Sequence, residues 1–313
     1  MRASTGAFAA DIAGGGGRSL IVPAASQHQS RTTPARLAPR RRWALYAAEA
    51  ALVACLVLSA CAFAALIRHP ESPVADAVRG DVERRVLLGL AGAITVVTLI
   101  YSPLGRRTGP HLNPAMTVTF LRLGRISPTD AAGFVLGQFA GAAIGAGAAA
   151  AILGRWTRQT AFAAAVPGAY PTGAVWSTEF AVALVLGVAV FTLNHTRLVR
   201  YTGCLAAAVT WLLVVLAAPV SGAGLNAART LAASTFAHVW IGWWVYFTAP
   251  PLGILAAVEV LAIFGRGRAA MCGKLNHHPT SFFRCNCLER AGLAPSPTAR
   301  DNARAVTPPS SVG

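Results

Sequence analysis

Two asparagines each open a short apolar segment with chemistry of its own. Asn113 is followed by Pro114-Ala115-Met116-Thr117, and Asn226 by Ala227-Ala228-Arg229. Asparagine is a favoured helix N-cap, and Pro114 suits the first helical position, where its missing N–H costs nothing. A helix that starts there leaves its first backbone N–H groups unpaired and directs a partial positive charge of about 0.5 ahead of it. The asparagine amides can donate further hydrogen bonds to a solute oxygen. Arg229 adds a charge that needs no particular pH to persist. Two carboxylates, Glu49 and Glu179, sit inside apolar runs upstream of these segments. A carboxylate in such a run is costly unless partners meet it. Either the two glutamates accept hydrogen bonds from other parts of the chain, or they relay protons.

The elements that must position these residues are set by the apolar blocks. The chain has 313 residues, 55% hydrophobic and only 12% charged, where a soluble domain carries about a quarter charged. Six blocks have the length that crosses a bilayer core: 43–67, 86–104, 129–153, 174–193, 201–219 and 240–264. The segments after Asn113 (to 123) and Asn226 (to 236) are too short to span and are expected to re-enter. Residues 1–42 form a basic tail rich in Gly, Ser, Pro and Arg, expected to be disordered and without a signal-peptide core. Residues 43–265 make the membrane domain, and residues 266–313 form a second polar tail.

Charge places the termini. With six spans both tails share a side, and that side holds twenty of the 27 Lys and Arg residues against seven on the other. The positive-inside rule puts both tails in the cytoplasm of a multi-pass protein of the cell membrane. The net charge of +16 lies in tails and short loops, which suits membrane topology and not a nucleic-acid face. The halves also repeat. Ala48-Glu49-Ala50 precedes one apolar run and Thr178-Glu179-Phe180 another, and each half goes on to an Asn-headed short segment. With three spans per half the repeats are inverted, an arrangement that places a site at their interface near the midplane.

The segments His111-Leu112-Asn113-Pro114-Ala115-Met116-Thr117 and Ser221-Gly222-Ala223-Gly224-Leu225-Asn226-Ala227-Ala228-Arg229 resemble the two Asn-Pro-Ala boxes of aquaporins (major intrinsic proteins), the second ending in that family's pore arginine. Gly137-Gln138-Phe139-Ala140-Gly141-Ala142 is similar to the family's third span, and Trp244-Val245-Tyr246-Phe247 with Pro250, Leu252 and Gly253 to its sixth. The resemblance implies an all-α integral membrane fold of six transmembrane helices plus two re-entrant half-helices. It implies a channel for water and small neutral solutes, a homotetramer in the bilayer, and no cofactor. Pore residues would be Asn113, Pro114, Ala115, Asn226, Ala227 and Ala228, with Glu49 and Glu179 bracing the re-entrant loops. Ala227 departs from the family, which usually has Pro there.

The resemblance also implies a four-residue outer filter. Arg229, Ala223 and Val214 fall at three of its positions, and Gly92 at the second-span position, with Ala93 next best. Strict water channels usually carry an aromatic at the second-span site and His at the fifth-span site. A Gly–Val–Ala–Arg ring is wider and more apolar, which suits glycerol, urea, hydrogen peroxide or undissociated metalloid acids. Thr230, where glycerol facilitators typically have Asp, and Tyr246-Phe247 resemble water channels instead.

In the second tail, Cys272, His277, His278, Cys285 and Cys287 could hold zinc through thiolate and imidazole. Their spacing matches no standard finger, and the plainer expectation is a reduced, flexible basic tail without metal. Two functional classes remain: a conducting channel, or a non-conducting scaffold of the same fold that works through adhesion or partners. No nucleophile–base pair or phosphate loop points to an enzyme.

Overall fold

The computed structural model describes residues 39–193, 196–264, 272 and 274–278. Among them the secondary structure is all helical. The helices are α1 (Pro39–Arg68), α2 (Pro73–Ala77), α3 (Asp81–Tyr101), α4 (Pro103–Thr108), α5 (Pro114–Arg122), α6 (Pro128–Leu153), α7 (Arg155–Gln159), α8 (Thr172–Leu193), α9 (Thr202–Ser221), α10 (Ala227–Ala237) and α11 (Val245–Ile263). Six of them, α1, α3, α6, α8, α9 and α11, are long and apolar enough to cross a membrane. Their outer faces carry apolar side chains such as Leu136, Ile144, Ile152, Leu212 and Leu216, all more than half exposed. A surface of that kind is stable against lipid and not against water. The six spans and two short re-entrant helices match the expected fold class.

Local sequence explains where the ends differ from the apolar blocks. The second span starts at Asp81, ahead of its apolar run, because Asp81 and Glu83 fall in the first turn, where carboxylates favour the positive end of the helix. The first span starts at Pro39, ahead of Trp43, since proline is well suited to open a helix. The sixth begins only at Val245. The aromatic stretch before it is taken up by His238 in the left-handed region, ending α10, and by turns around Gly242.

The two halves pack alike. α1 lies along α6 and α8 along α11, the two most extensive helix contacts, while α3 meets α9 between the halves. Small residues make the first contact close. A β-carbon at Gly141 would lie 2.1 Å from the Ala50 carbonyl oxygen, and one at Gly145 would lie 2.3 Å from that of Ala54. With Gly137, these glycines form a stripe every fourth residue, the usual device for bringing membrane helices into backbone contact. Gly253 serves the α8–α11 pair, with a β-carbon position 2.4 Å from the Phe180 carbonyl. The half-helices are held across the repeat: α5 packs on α6 and α11, and α10 on α6. α5 is clamped further by a 3.0 Å ion pair between Arg122 and Glu259. That pair sets Glu259 against the end of a half-helix.

Candidate functional site

The loops before α5 and α10 meet inside the bundle, tied to each other by their asparagines. Asn113 caps α5 through its Oδ1, which accepts from the Ala115 N–H at 2.9 Å. Its Nδ2 donates to the Leu225 carbonyl at 2.9 Å. Asn226 mirrors it: Oδ1 accepts from the N–H groups of Ala228 (3.1 Å) and Arg229 (3.3 Å), and Nδ2 donates to the Leu112 carbonyl at 2.8 Å. Each amide therefore uses one N–H on the opposite loop, leaving a second donor on the same nitrogen. Pro114 and Ala115 are buried in the first turn of α5, and Ala227 and Ala228 in that of α10. Ala227 makes a regular helix start without the fixed φ of proline; the Asn226 cap reaches two N–H groups where Asn113 reaches one.

Both loops are forced out of regular structure. Leu112, Ala223 and Leu225 have φ between 51° and 59°, a conformation costly for residues with a β-carbon. The buried glutamates take up the backbone donors these turns release. Glu49 accepts from the N–H of His111 (3.1 Å) and Leu112 (2.6 Å), and from Gln138 Nε2 at 2.9 Å. Glu179 accepts from the N–H of Gly224 and Leu225, both at 2.8 Å, and from Ser221 Oγ at 2.7 Å. Satisfied in this way, a buried carboxylate is tolerable and holds its loop to a spanning helix.

Sequence reasoning missed several supporting groups. Gln138 joins Glu49 to Thr117 Oγ1 at 3.1 Å, and Thr117 lies 2.9 Å from His111 Nδ1. A lone amide in a Gly- and Ala-rich span is itself a signal that a polar partner awaits it. Tyr246 donates to the Ser221 carbonyl at 2.5 Å, which ties α11 to the second loop.

One cavity of about 280 Å³ runs past this junction, lined by Asn113, Asn226, Arg229 and the other three expected filter residues, Gly92, Val214 and Ala223. Ala93 lines it as well. Arg68 and Arg85 also line it, as does Leu275. A β-carbon at Gly92 would meet nothing within 4 Å, so this position faces open space. The Arg229 guanidinium is held by three carbonyls: Nη1 donates to Ala163 at 3.1 Å, and Nη2 to Ala223 at 2.9 Å and Gly224 at 3.1 Å. Ala163 belongs to a turn with positive φ at Ala161, Phe162 and Ala163, a contributor that sequence alone does not reveal. The arrangement presents three arginines, two half-helix N-termini and amide donors along a largely apolar passage.

The Cys/His group is only partly described. Cys272 and His277 are buried and His278 is half-buried, whereas Cys285 and Cys287 lie outside the described residues. Among the described residues, no group of three or more His, Cys, Asp or Glu side chains is placed to hold a metal ion.

Comparison with known proteins agrees with this geometry. A family model described as "Major intrinsic protein" matches residues 40–260. Aquaporin NIP1-1 of Zea mays is 29% identical over 178 residues, 54% of this chain and 59% of that protein. Aquaporin NIP1-1 of Arabidopsis thaliana is 30% identical, over 55% of this chain and 60% of its own length. Aquaporin A of Dictyostelium discoideum is 31% identical, over 59% of this chain and 68% of its own length. The chain thus spans about three fifths of the first two of these relatives. The aquaglyceroporin of Plasmodium falciparum superposes with a TM-score of 0.55 and 14% identity, covering 69% of this chain and 93% of that one; at that identity the likeness concerns the fold alone. With the family model matching well over half of its length, this multi-pass membrane chain belongs to the major intrinsic protein family.

Proposed function

We propose that the chain is a passive channel for water and small neutral solutes, and not an enzyme. The observation that carries this reading is the junction of two half-helix N-termini, cross-bonded through Asn113 and Asn226, beside a cavity that continues past Arg229. Two such N-termini orient passing water and repel cations and protons. Asn113 and Asn226 act as donors to the solute, and Glu49 and Glu179 brace the loops. Gly92, Val214, Ala223 and Arg229 form the filter. A ring with glycine and valine in it favours solutes larger than water, such as glycerol, urea, hydrogen peroxide or undissociated metalloid acids. A cavity lined by both asparagines and Arg229 favours conduction over a purely adhesive scaffold.

The chain assembles as a homotetramer in the cell membrane, each protomer with its own pore and both termini in the cytoplasm. A detergent-corrected mass of one protomer would refute the tetramer. Flux is tested by stopped-flow swelling of proteoliposomes with water, glycerol, urea and a metalloid acid. The expected result is permeability above that of protein-free vesicles, strongly reduced in Asn226→Leu with insertion intact. No flux of any solute would refute the reading.

A further inference from the structure

Arg68 and Arg85 line the cavity on neighbouring helices. Arg68 is the last residue of α1 and Arg85 lies in the second turn of α3. Each ends a cavity-lining stripe at helical spacing: Ala60, Ala64 and Arg68 on α1, and Arg85, Leu88 and Gly92 on α3. Residues three and four apart share one helix face, so both arginines belong to the faces that bound the passage. Arg85 precedes Gly92 by seven residues, a rise of about 10 Å. The pair therefore stands at the mouth, beyond the filter position.

The other arginines nearby are held by backbone. Arg84 donates from Nε to the Val78 carbonyl at 2.7 Å and from Nη2 to the Ala75 carbonyl at 3.0 Å. Arg229 is caged by three carbonyls. Arg68 and Arg85 differ: among the described residues neither side chain makes a hydrogen bond or an ion pair. The Nε of Arg85 is buried with no acceptor. The Arg68 cation is repelled by those of Arg84 and Arg85 and attracted by the Asp81 carboxylate. One carboxylate against three guanidinium groups leaves this place positive. A buried donor without an acceptor is costly, and like charges side by side add to that cost. An anion between Arg68 and Arg85 removes both.

We propose that Arg68 and Arg85 form a binding site for a small oxyanion, inorganic or carboxylate, in the mouth of the pore. The inference rests on the channel reading above and adds a ligand to it. A guanidinium fork offers paired N–H donors that match two oxygens of a carboxylate or of a tetrahedral oxyanion. Arg85 supplies the more buried donors, and Arg68, the more exposed of the two, meets the ligand from α1. Both side chains line the cavity itself, so the bound anion stands in the path of neutral solutes and slows them. Cations are turned away from the same place.

The test uses the full chain with sulfate and malonate as probes, at constant ionic strength. Binding of radiolabelled sulfate to the purified protein is read by scintillation proximity, with malonate as competitor to tell a carboxylate ligand from a purely inorganic one. Arg68→Gln and Arg85→Gln are each expected to weaken binding about tenfold or more, and Arg85→Lys by less. Arg79→Gln removes a charge from an exposed side chain just before α3 that does not line the cavity, and it is expected to bind as the parent does. In proteoliposomes, saturating sulfate is expected to lower the water permeability of the parent about threefold or more and to leave that of Arg85→Gln unchanged. No saturable binding in the parent, or equal binding in the parent and both Gln variants, overturns the site. A loss in Arg79→Gln as large as in Arg85→Gln overturns it as well, since the attraction is then diffuse. Binding that depends on Arg85 while permeability ignores sulfate overturns its place in the solute path. No permeability at any sulfate concentration refutes the channel reading instead, and binding that depends on Arg85 then upholds the site on a non-conducting protein.

Discussion

Replacing Arg229 by Val removes a full charge from the cavity that runs past the two asparagines. The guanidinium now spends its hydrogen bonds on the carbonyls of Ala163, Ala223 and Gly224. A cation passing about 4 Å from it meets a repulsion of about 4 kcal/mol at an effective dielectric of 20. By itself that repulsion lowers cation or proton passage roughly a thousandfold. The variant also turns three carbonyl oxygens loose toward the passage, which makes its potential more negative. The half-helix N-termini remain, each about half a charge, so the barrier falls without vanishing. The expected outcome is a proton or alkali-cation leak at least about a hundredfold above the parent, measured by dye-reported collapse of a pH gradient in proteoliposomes. Water permeability should hold or rise. A leak that changes less than about threefold would refute the assignment of Arg229 as the outer electrostatic barrier and leave the midplane helix ends as the whole of it.

Val214→His should narrow the ring around Gly92, Ala223 and Arg229 and add a donor, so that glycerol or urea flux falls more than water flux; an unchanged solute-to-water ratio means that Val214 does not set the filter. Gly92→Phe builds a ring into the open space beside Gly92 and should lower glycerol permeability about tenfold or more, read by the same swelling assay, with no change in thermal stability. Gly145→Val drives a side chain into the Ala54 carbonyl and should cost about 2 kcal/mol or more, seen as a lowered midpoint of thermal aggregation in detergent.

The fold was legible in the sequence because lipid leaves few alternatives. A block of apolar residues long enough to span must be a helix, and an Asn-headed block too short to span must re-enter. The glutamates were legible in part: a carboxylate in an apolar run needs donors, while only the resemblance pointed to the loops before Asn113 and Asn226, whose Leu112 and Leu225 N–H groups meet them. The third carbonyl on Arg229 was not legible. It comes from Ala163, in a turn whose positive φ values follow from tertiary packing and not from Gly or Asn. The burial of Leu275 was also hidden, since Lys274, Asn276 and His277 read as a solvated tail. Composition ranks a segment by its average, whereas that burial depends on one leucine and on a helix-end carbonyl that Asn276 meets at 2.7 Å.

The inverted repeat explains the midplane and at the same time shows what it cannot explain. Each glutamate holds two consecutive loop N–H groups, and each asparagine crosses to the carbonyl just ahead of the other. Symmetry of that kind gives a centre with equal positive ends facing each other, which discriminates by charge and not by direction or by solute. Discrimination among neutral solutes therefore depends on what the repeat does not duplicate. Three features meet that condition. Arg229 follows the second asparagine with its carbonyl cage, and the residue three after the first is Met116. Gly92 leaves an opening beside it. Leu275 lines the same cavity, next to Asn276, whose Nδ2 meets the last turn of α3. Exchange of any of these should alter which solutes pass, while the cross-bonded asparagines and the bundle around them stay as they are.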